Sequence, residues 1–368
     1  MKTALVGLVL LFLCQPLWVN AQAPWLPAAI LPPASGVPAP TCKPRGIRYN
    51  EVRQISSHNS YDECGSNPLY CAHKPDLPQQ ADLGVRSFEI DIHQGGLGWG
   101  DSPHSDWDVY HIGGGSGDHC GHLSQCLAKL RIWHDGHPNH DVITVWIELK
   151  SQWEVGGHHP VDLDNNRLEQ DLRGLLYTPG DLLRNCPGAA TLQDAVTNCG
   201  WPTLESLRGK FIIVLMGDDQ RQLANYLDDV NQYRGGYGVG NNGYHGNKIC
   251  FVAPDISTYE AREIDQEYRA TSGRTVSWHN AVFFNIHNAA SEVWASGNNL
   301  WAPARIVFQR HLVSRAWRID NQNEWAQARI NLAHHLATEH VAQELFTPRA
   351  VDVCGLPMEP MVSTGRGS

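Results

Sequence analysis

Val85-Arg86-Ser87-Phe88-Glu89-Ile90-Asp91-Ile92-His93 is the stretch on which the fold turns. Its alternation places Phe88, Ile90 and Ile92 on one face and Glu89, Asp91 and His93 on the other, which is the two-residue period of a β-strand. Two carboxylates on an otherwise apolar strand are tolerated at the mouth of a barrel, where strand ends meet a cavity, and there only with a counter-ion. Neighbouring segments repeat the pattern. Upstream, Val52 to Ser56 runs into Ser57-His58-Asn59-Ser60-Tyr61; downstream, Val109 to Ile112 holds Tyr110-His111, and Val142 to Lys150 ends with Glu148 and Lys150 on a common face. Further β-rich runs are Phe211 to Met216, Ile249 to Ala253, Ala281 to Ile286 and Ala316 to Ile319, making eight. Helical spacing separates several of them, clearest at Leu123, Leu127, Leu130 and Trp133, and again from Trp325 to Glu344 with Asn323 as its N-cap. Strands alternating with helices imply parallel pairing, and eight such units predict an α/β fold, the (β/α)8 TIM barrel, over 44–357.

The 368 residues fit one such barrel with long loops. Thirty-eight acids against 28 bases give a net charge of −10, which excludes a broad basic face for nucleic acid. Residues 1–21 read as a secretory signal: Lys2 is followed by apolar Ala4 to Leu13 and by Val19-Asn20-Ala21 before the cut. Gln15 and Pro16 break the run short of a membrane span, so no transmembrane anchor is expected after cleavage. The Pro- and Ala-rich 22–43 reads as a linker, and 358–368 as a loose tail without a core pattern. A secreted monomer is the expectation.

Export bears on the ten cysteines. Cys14 leaves with the signal, so an odd number remains and one thiol stays free. Close spacing pairs Cys64 with Cys71, Cys120 with Cys126 and Cys186 with Cys199; Cys42 and Cys354 then tie the ends, and Cys250, within an apolar run, is left over.

Several carboxylates aimed into one cavity cannot all stay ionised unaided. Asn59, Glu89, Asp91 and Glu148 offer hard oxygens, which suit Ca2+ (Mg2+ less well) and disfavour zinc. His58 and His111 beside such an ion make an acid and base pair, each contributing roughly 10²- to 10⁴-fold. Lys150 and Lys210 are candidates for touching a phosphate, the alternative being solvated lysines at strand or loop ends. Asp162-Leu163-Asp164-Asn165-Asn166 opens like an EF-hand loop, but Arg167 stands where Gly is needed and Arg173 where the closing Glu is. A serine-hydrolase elbow, a Walker A loop and a zincin helix are all absent.

Ser57-His58-Asn59-Ser60-Tyr61, Gly84 to Asp91, Tyr110-His111 and Ile147-Glu148-Leu149-Lys150 together closely resemble the catalytic X-region of phosphoinositide-specific phospholipases C. Cys126 to Lys150, with His137-Pro138-Asn139-His140, is similar to their secreted, Ca2+-dependent microbial branch. The resemblance implies a phosphodiesterase acting on a phosphoinositide lipid at a membrane interface, splitting it into diacylglycerol and an inositol (cyclic) phosphate. It places His58 and His111 as the catalytic histidines, and Asn59, Glu89, Asp91 and Glu148 as calcium ligands. The inositol 2-hydroxyl would attack phosphorus. Two other readings compete. A glycerophosphodiester phosphodiesterase would share the barrel, but its first strand typically ends His-Arg-Gly where Asn59 follows His58 here. A non-catalytic secreted lipid- or sugar-binding barrel would tend to break one of the six positions, and none is broken. Trp99 and Trp107 read as loop residues, either dipping into a bilayer or packing on the loop itself.

Overall fold

The computed structural model describes residues 46–64, 73–94, 106–111, 119–151, 162–217, 219–228, 248–256, 261–270, 273–286, 302–341 and 358–361. The strands in chain order are β1 (Val52–Ser57), β2 (Ser87–Gln94), β3 (Trp107–Val109), β4 (Ile143–Leu149), β5 (Phe211–Met216), β6 (Phe251–Val252), β7 (Asp255–Ile256), β8 (Glu267–Arg269), β9 (Thr275–Ser277), β10 (Phe283–Ile286), β11 (Val313–Ala316), β12 (His335–Thr338) and β13 (Met358–Pro360). The α-helices are α1 (Leu77–Asp82), α2 (Leu123–Gly136), α3 (Glu169–Asp171), α4 (Pro179–Arg184), α5 (Leu192–Asn198), α6 (Gln220–Asp228), α7 (Ala302–Gln309) and α8 (Gln322–Ile330).

The sheet runs β6-β5-β4-β2-β1-β12-β11-β10-β7, and every neighbouring pair is parallel. Phe251 on β6 pairs with Val214 on β5, while Asp255 on β7 pairs with Asn285 on β10. Only Ala253 and Pro254 separate β6 from β7. Pro254 has no N–H to donate, so the ladder breaks there and one bent stave serves both neighbours. The ring of eight therefore closes, as a TIM barrel does. β5, Phe-Ile-Ile-Val-Leu-Met, is buried along its whole length, as expected where helices cover the outside and side chains fill the inside.

Two staves differ from the sequence expectation. Trp107–Val109 is antiparallel to β2 and lies outside the ring, a hairpin arm whose Trp107 is buried; Trp99 lies outside the described residues. The missing stave is β12, inside the stretch expected to be helical from Trp325 to Glu344. The helix there is α8, capped by Asn321, whose side chain accepts from the N–H groups of Asn323 and Glu324. It ends at Ile330 with Asn331 as its C-cap; Leu332 then takes a left-handed φ of 62°, and the chain runs on extended and buried. His334 and His335 gave that strand a polar look, but both are buried in the barrel. β11 is the seventh stave, three residues earlier than expected. Met358–Pro360 pairs antiparallel with β1 although no core pattern marks it. Residues 1–43 lie outside the described residues. Among those described, no helix is long and apolar enough to cross a membrane.

The N-terminal end of the barrel is sealed. Tyr49, Trp201, Phe251 and Phe283 form a floor with ring centroids 5.1 to 5.3 Å apart for successive contacts. Above it, the Tyr49 hydroxyl meets Thr144 Oγ1 at 2.6 Å and His335 Nε2 at 3.1 Å. His335 Nδ1 meets Ser87 Oγ at 2.9 Å, which also accepts from Trp146 Nε1 at 3.0 Å. Burial holds His335 far below the ordinary histidine range, so it is neutral. Access to the interior is from the other end.

Cys120–Cys126 staples the loop before α2 to its first turns, and Cys186–Cys199 joins the ends of α4 and α5, both as the spacing predicts. Opening the second, with its separation of 13, costs about 3 kcal/mol by loop closure, readable by urea denaturation of the Cys186→Ser/Cys199→Ser protein. Cys64 is disulfide-bonded; its expected partner Cys71, and both members of Cys42–Cys354, lie outside the described residues.

Cys250 is a free, buried thiol whose Sγ donates to Asp164 Oδ1 at 3.5 Å, beside the Tyr226 hydroxyl, which donates to Asp164 Oδ2 at 3.0 Å. Burial is the main cause that lifts Asp164 to about 7. Its folded-state value exceeds its unfolded one, so the stability it contributes is full below pH ~4 and is lost as pH rises through ~7. Against Asp164→Asn, wild type should lose relative stability across that window in melting curves; parallel curves would refute it.

Candidate active site

The open end of the barrel collects the polar ends of successive strands. β2 and β4 pair in a register that sets Asp91 beside Glu148. The turn after β1 is zipped to β2: Ser60 N donates to Glu89 O at 2.9 Å, and Ser60 Oγ accepts from Glu89 N at 2.8 Å. Asn59 takes the left-handed backbone (φ 45°), which Asn adopts more readily than most residues. Its N–H then donates to Glu89 Oε2 at 3.3 Å. Oxygens of Glu89, Asp91 and Glu148 lie within 4.8 Å of one another.

This cage asks for a cation. Asp91 Oδ1 and Asn59 Oδ1 are buried without a hydrogen-bond partner, an arrangement that costs free energy unless something positive meets them. Burial, then the charges of Asp91 and Glu89, push Glu148 well above the ordinary carboxylate range. The donors are all hard oxygens, which fits the calcium expected from the sequence. Two cations of the chain also serve the cage. Arg315 Nη2 bonds Glu89 Oε2, and its Nη1 donates to Asn285 Oδ1 at 2.9 Å, with Asn285 Nδ2 donating to Asp255 Oδ1 at 2.7 Å. Lys150 Nζ donates to Glu148 Oε1 at 2.6 Å and lies 3.6 Å from Asp91 Oδ2. Arg315→Met would leave Glu89 buried and uncompensated, at a cost of about 3–5 kcal/mol, measurable by denaturant titration.

The two histidines flank the cage in the same manner. His111 Nδ1 lies 2.7 Å from Asp91 Oδ2, and His58 Nδ1 lies 2.5 Å from Glu339 Oε1. Each ring thus has one nitrogen fixed by a carboxylate and Nε2 left for chemistry, an arrangement that sets tautomer and orientation. His58 Nε2 is 3.9 Å from Glu89 Oε2, and its ring stacks on Trp317, with centroids 5.7 Å apart. Burial works against the imidazolium of His58, but Glu89 and Glu339 outweigh it and hold the ring above the usual range. For Asp91, the His111 hydrogen bond and the Lys150 charge overcome burial and depress its carboxyl.

The structure brings together His58, Asn59, Glu89, Asp91, His111, Glu148 and Lys150. It does not bring Lys210, which precedes β5 at the floor end and donates to Gly174 O at 2.9 Å. His93 stays on the carboxylate face but turns to Tyr110, stacking at 3.7 Å and meeting its carbonyl at 2.9 Å.

Glu339, Lys74 and Arg315 are the residues that sequence reasoning missed. Lys74 is buried, donating to Glu339 Oε2 and to the carbonyls of His58 and Asn59 at 2.5 to 2.8 Å. Glu339 follows a buried run directly, as Glu148 nearly ends its own, and that acid at a strand end was the available signal.

Residues 107–269 match the family described as phosphoinositide phospholipase C, Ca2+-dependent. The family this chain resembles is therefore the Ca2+-dependent phosphoinositide phospholipases C. The matched phospholipase C segment includes His111 and Glu148 and begins after His58, Asn59, Glu89 and Asp91. Among solved structures, a calcium-dependent phosphoinositol-specific phospholipase C from Pseudomonas sp. aligns with a TM-score of 0.64 and 23% identity over 85% of this chain and 95% of that one. The Ca2+-dependent phosphatidylinositol-specific phospholipase C of Streptomyces antibioticus aligns at 0.58, with 21% identity over 80% and 95%. At such identities these likenesses establish the phospholipase C barrel fold. No curated protein matches the chain.

Proposed function

We propose that this protein is a secreted phosphodiesterase that cleaves phosphatidylinositol-type lipids at a membrane interface, releasing diacylglycerol and an inositol (cyclic) phosphate. One observation carries the reading: two imidazoles, each with Nδ1 on a carboxylate, stand on either side of an oxygen cage at the open end of the barrel. Asn59, Glu89, Asp91 and Glu148 would hold Ca2+, which when bound acidifies a hydroxyl and neutralises charge developing on phosphorus. His58 Nε2 accepts the proton of the inositol 2-hydroxyl as its oxygen attacks, and Glu339 stabilises the imidazolium that forms. His111, oriented by Asp91, gives its proton to the departing glycerol oxygen, so one proton is taken and one returned. The Trp317 ring stacked on His58 helps to hold the imidazole in place. A monomer suffices, since every named group comes from one chain.

Phosphorus NMR of phosphatidylinositol incubated with the protein and Ca2+ tests this. A cyclic phosphodiester signal is expected; release of a glycerophospho compound, or no turnover with folded protein, would overturn it.

A further inference from the structure

The cage's two internal cations are held very differently. Arg315 is 1% exposed and tied at one end to Glu89 and at the other to Asn285, itself bonded to Asp255. It is pinned. Lys150 stands one residue past β4, its side chain 18% exposed. Among the described residues its ammonium meets only Glu148 and Asp91, oxygens that a metal ion would use. A lysine is a compact charge on a stem of several rotatable bonds, and a few torsions carry it out of such a position. A divalent ion among these oxygens would compete for the same lone pairs and would repel the ammonium, like charges in a partly buried site being weakly screened.

We infer that Lys150 is the resident counter-ion of the carboxylate cage and is driven out when a divalent cation arrives. The inference rests on the reading of the cage as a calcium site. Lys150 neutralises the cage during folding, lowers the affinity for the ion by competing with it, and once displaced presents an ammonium at the barrel mouth where a phosphodiester would lie. Metal arrival and substrate contact are thereby coupled through one side chain.

Calcium titration calorimetry on the full chain at fixed ionic strength tests this, with Lys150→Met, Lys150→Arg and Arg318→Gln beside wild type. Arg318 is an exposed guanidinium lying over Trp317 at 4.8 Å, so its removal measures the general effect of one less positive charge nearby. Lys150→Met should bind Ca2+ at least ~10-fold more tightly, Lys150→Arg no more tightly than wild type, and Arg318→Gln within about threefold of wild type, since exposed charge is screened. In parallel, reductive methylation of wild type mapped by mass spectrometry should show Lys150 labelling rising severalfold on adding Ca2+. Unchanged or weaker affinity in Lys150→Met, an equal gain in Arg318→Gln, or labelling indifferent to Ca2+ overturns the inference while leaving the calcium site standing. No calcium binding by folded wild type overturns both. If Lys150→Met fails to fold, the labelling of wild type decides.

Discussion

Replacing His58 or His111 by alanine is expected to lower turnover of phosphatidylinositol by at least ~10²-fold while the protein stays folded. Neither ring holds the barrel together. The His111 side chain is 23% exposed, and removing His58 leaves Glu339 paired with Lys74, so no buried charge is orphaned. What is lost is a nitrogen placed beside the cage with its tautomer fixed. The two replacements act on different protons and should differ in rescue: a substrate with a better leaving group should recover rate in His111→Ala and not in His58→Ala. Glu339→Gln, which keeps the shape but removes the charge that steadies the imidazolium, should fall between wild type and His58→Ala. Circular dichroism and melting curves establish folding in each case. Wild-type turnover in either alanine variant removes the two-histidine scheme.

Excess EGTA should abolish turnover, and restoring Ca2+ should bring it back. The physical ground is the crowding of Glu89, Asp91 and Glu148 within 4.8 Å together with the unpartnered oxygens of Asn59 and Asp91. Mg2+ should restore less, since it demands a tighter octahedron and sheds water reluctantly. Asp91→Asn should resemble chelation that cannot be reversed, at a loss of ~10²-fold or more, because one oxygen of Asp91 serves the cage and the other orients His111. Full activity in EGTA would exclude a calcium centre.

The sequence was most readable where a polar residue interrupts a strand's apolar face. Glu89, Asp91 and Glu148 announce themselves by period, and His58 and His111 by adjacency to those strands, so most of the candidate cluster is legible in the sequence. The period-two rule failed where the polar residue is itself buried. His335 opens a stave whose interior face is hydrogen-bonded rather than apolar, with His334 just before it, so the segment reads as helical and Glu339 at its end goes unmarked. Lys74 and Arg315 were unreadable for another reason: a buried cation looks like any surface one until its carboxylate partner, far away in the chain, is known. The count of eight staves agrees with the ring because two errors offset: the hairpin arm at Trp107 is read as a stave, and the stave His335–Thr338 is not.

Among the described residues, the aromatic floor of Tyr49 and Trp201 closes one end of the barrel and leaves the other as its doorway. For a lipid substrate, the water-borne half of the split molecule must back out through the same opening by which the next lipid arrives. Product and reactant therefore queue for one passage, and accumulating inositol phosphate should slow the enzyme competitively, a brake that comes from architecture and needs no regulatory site.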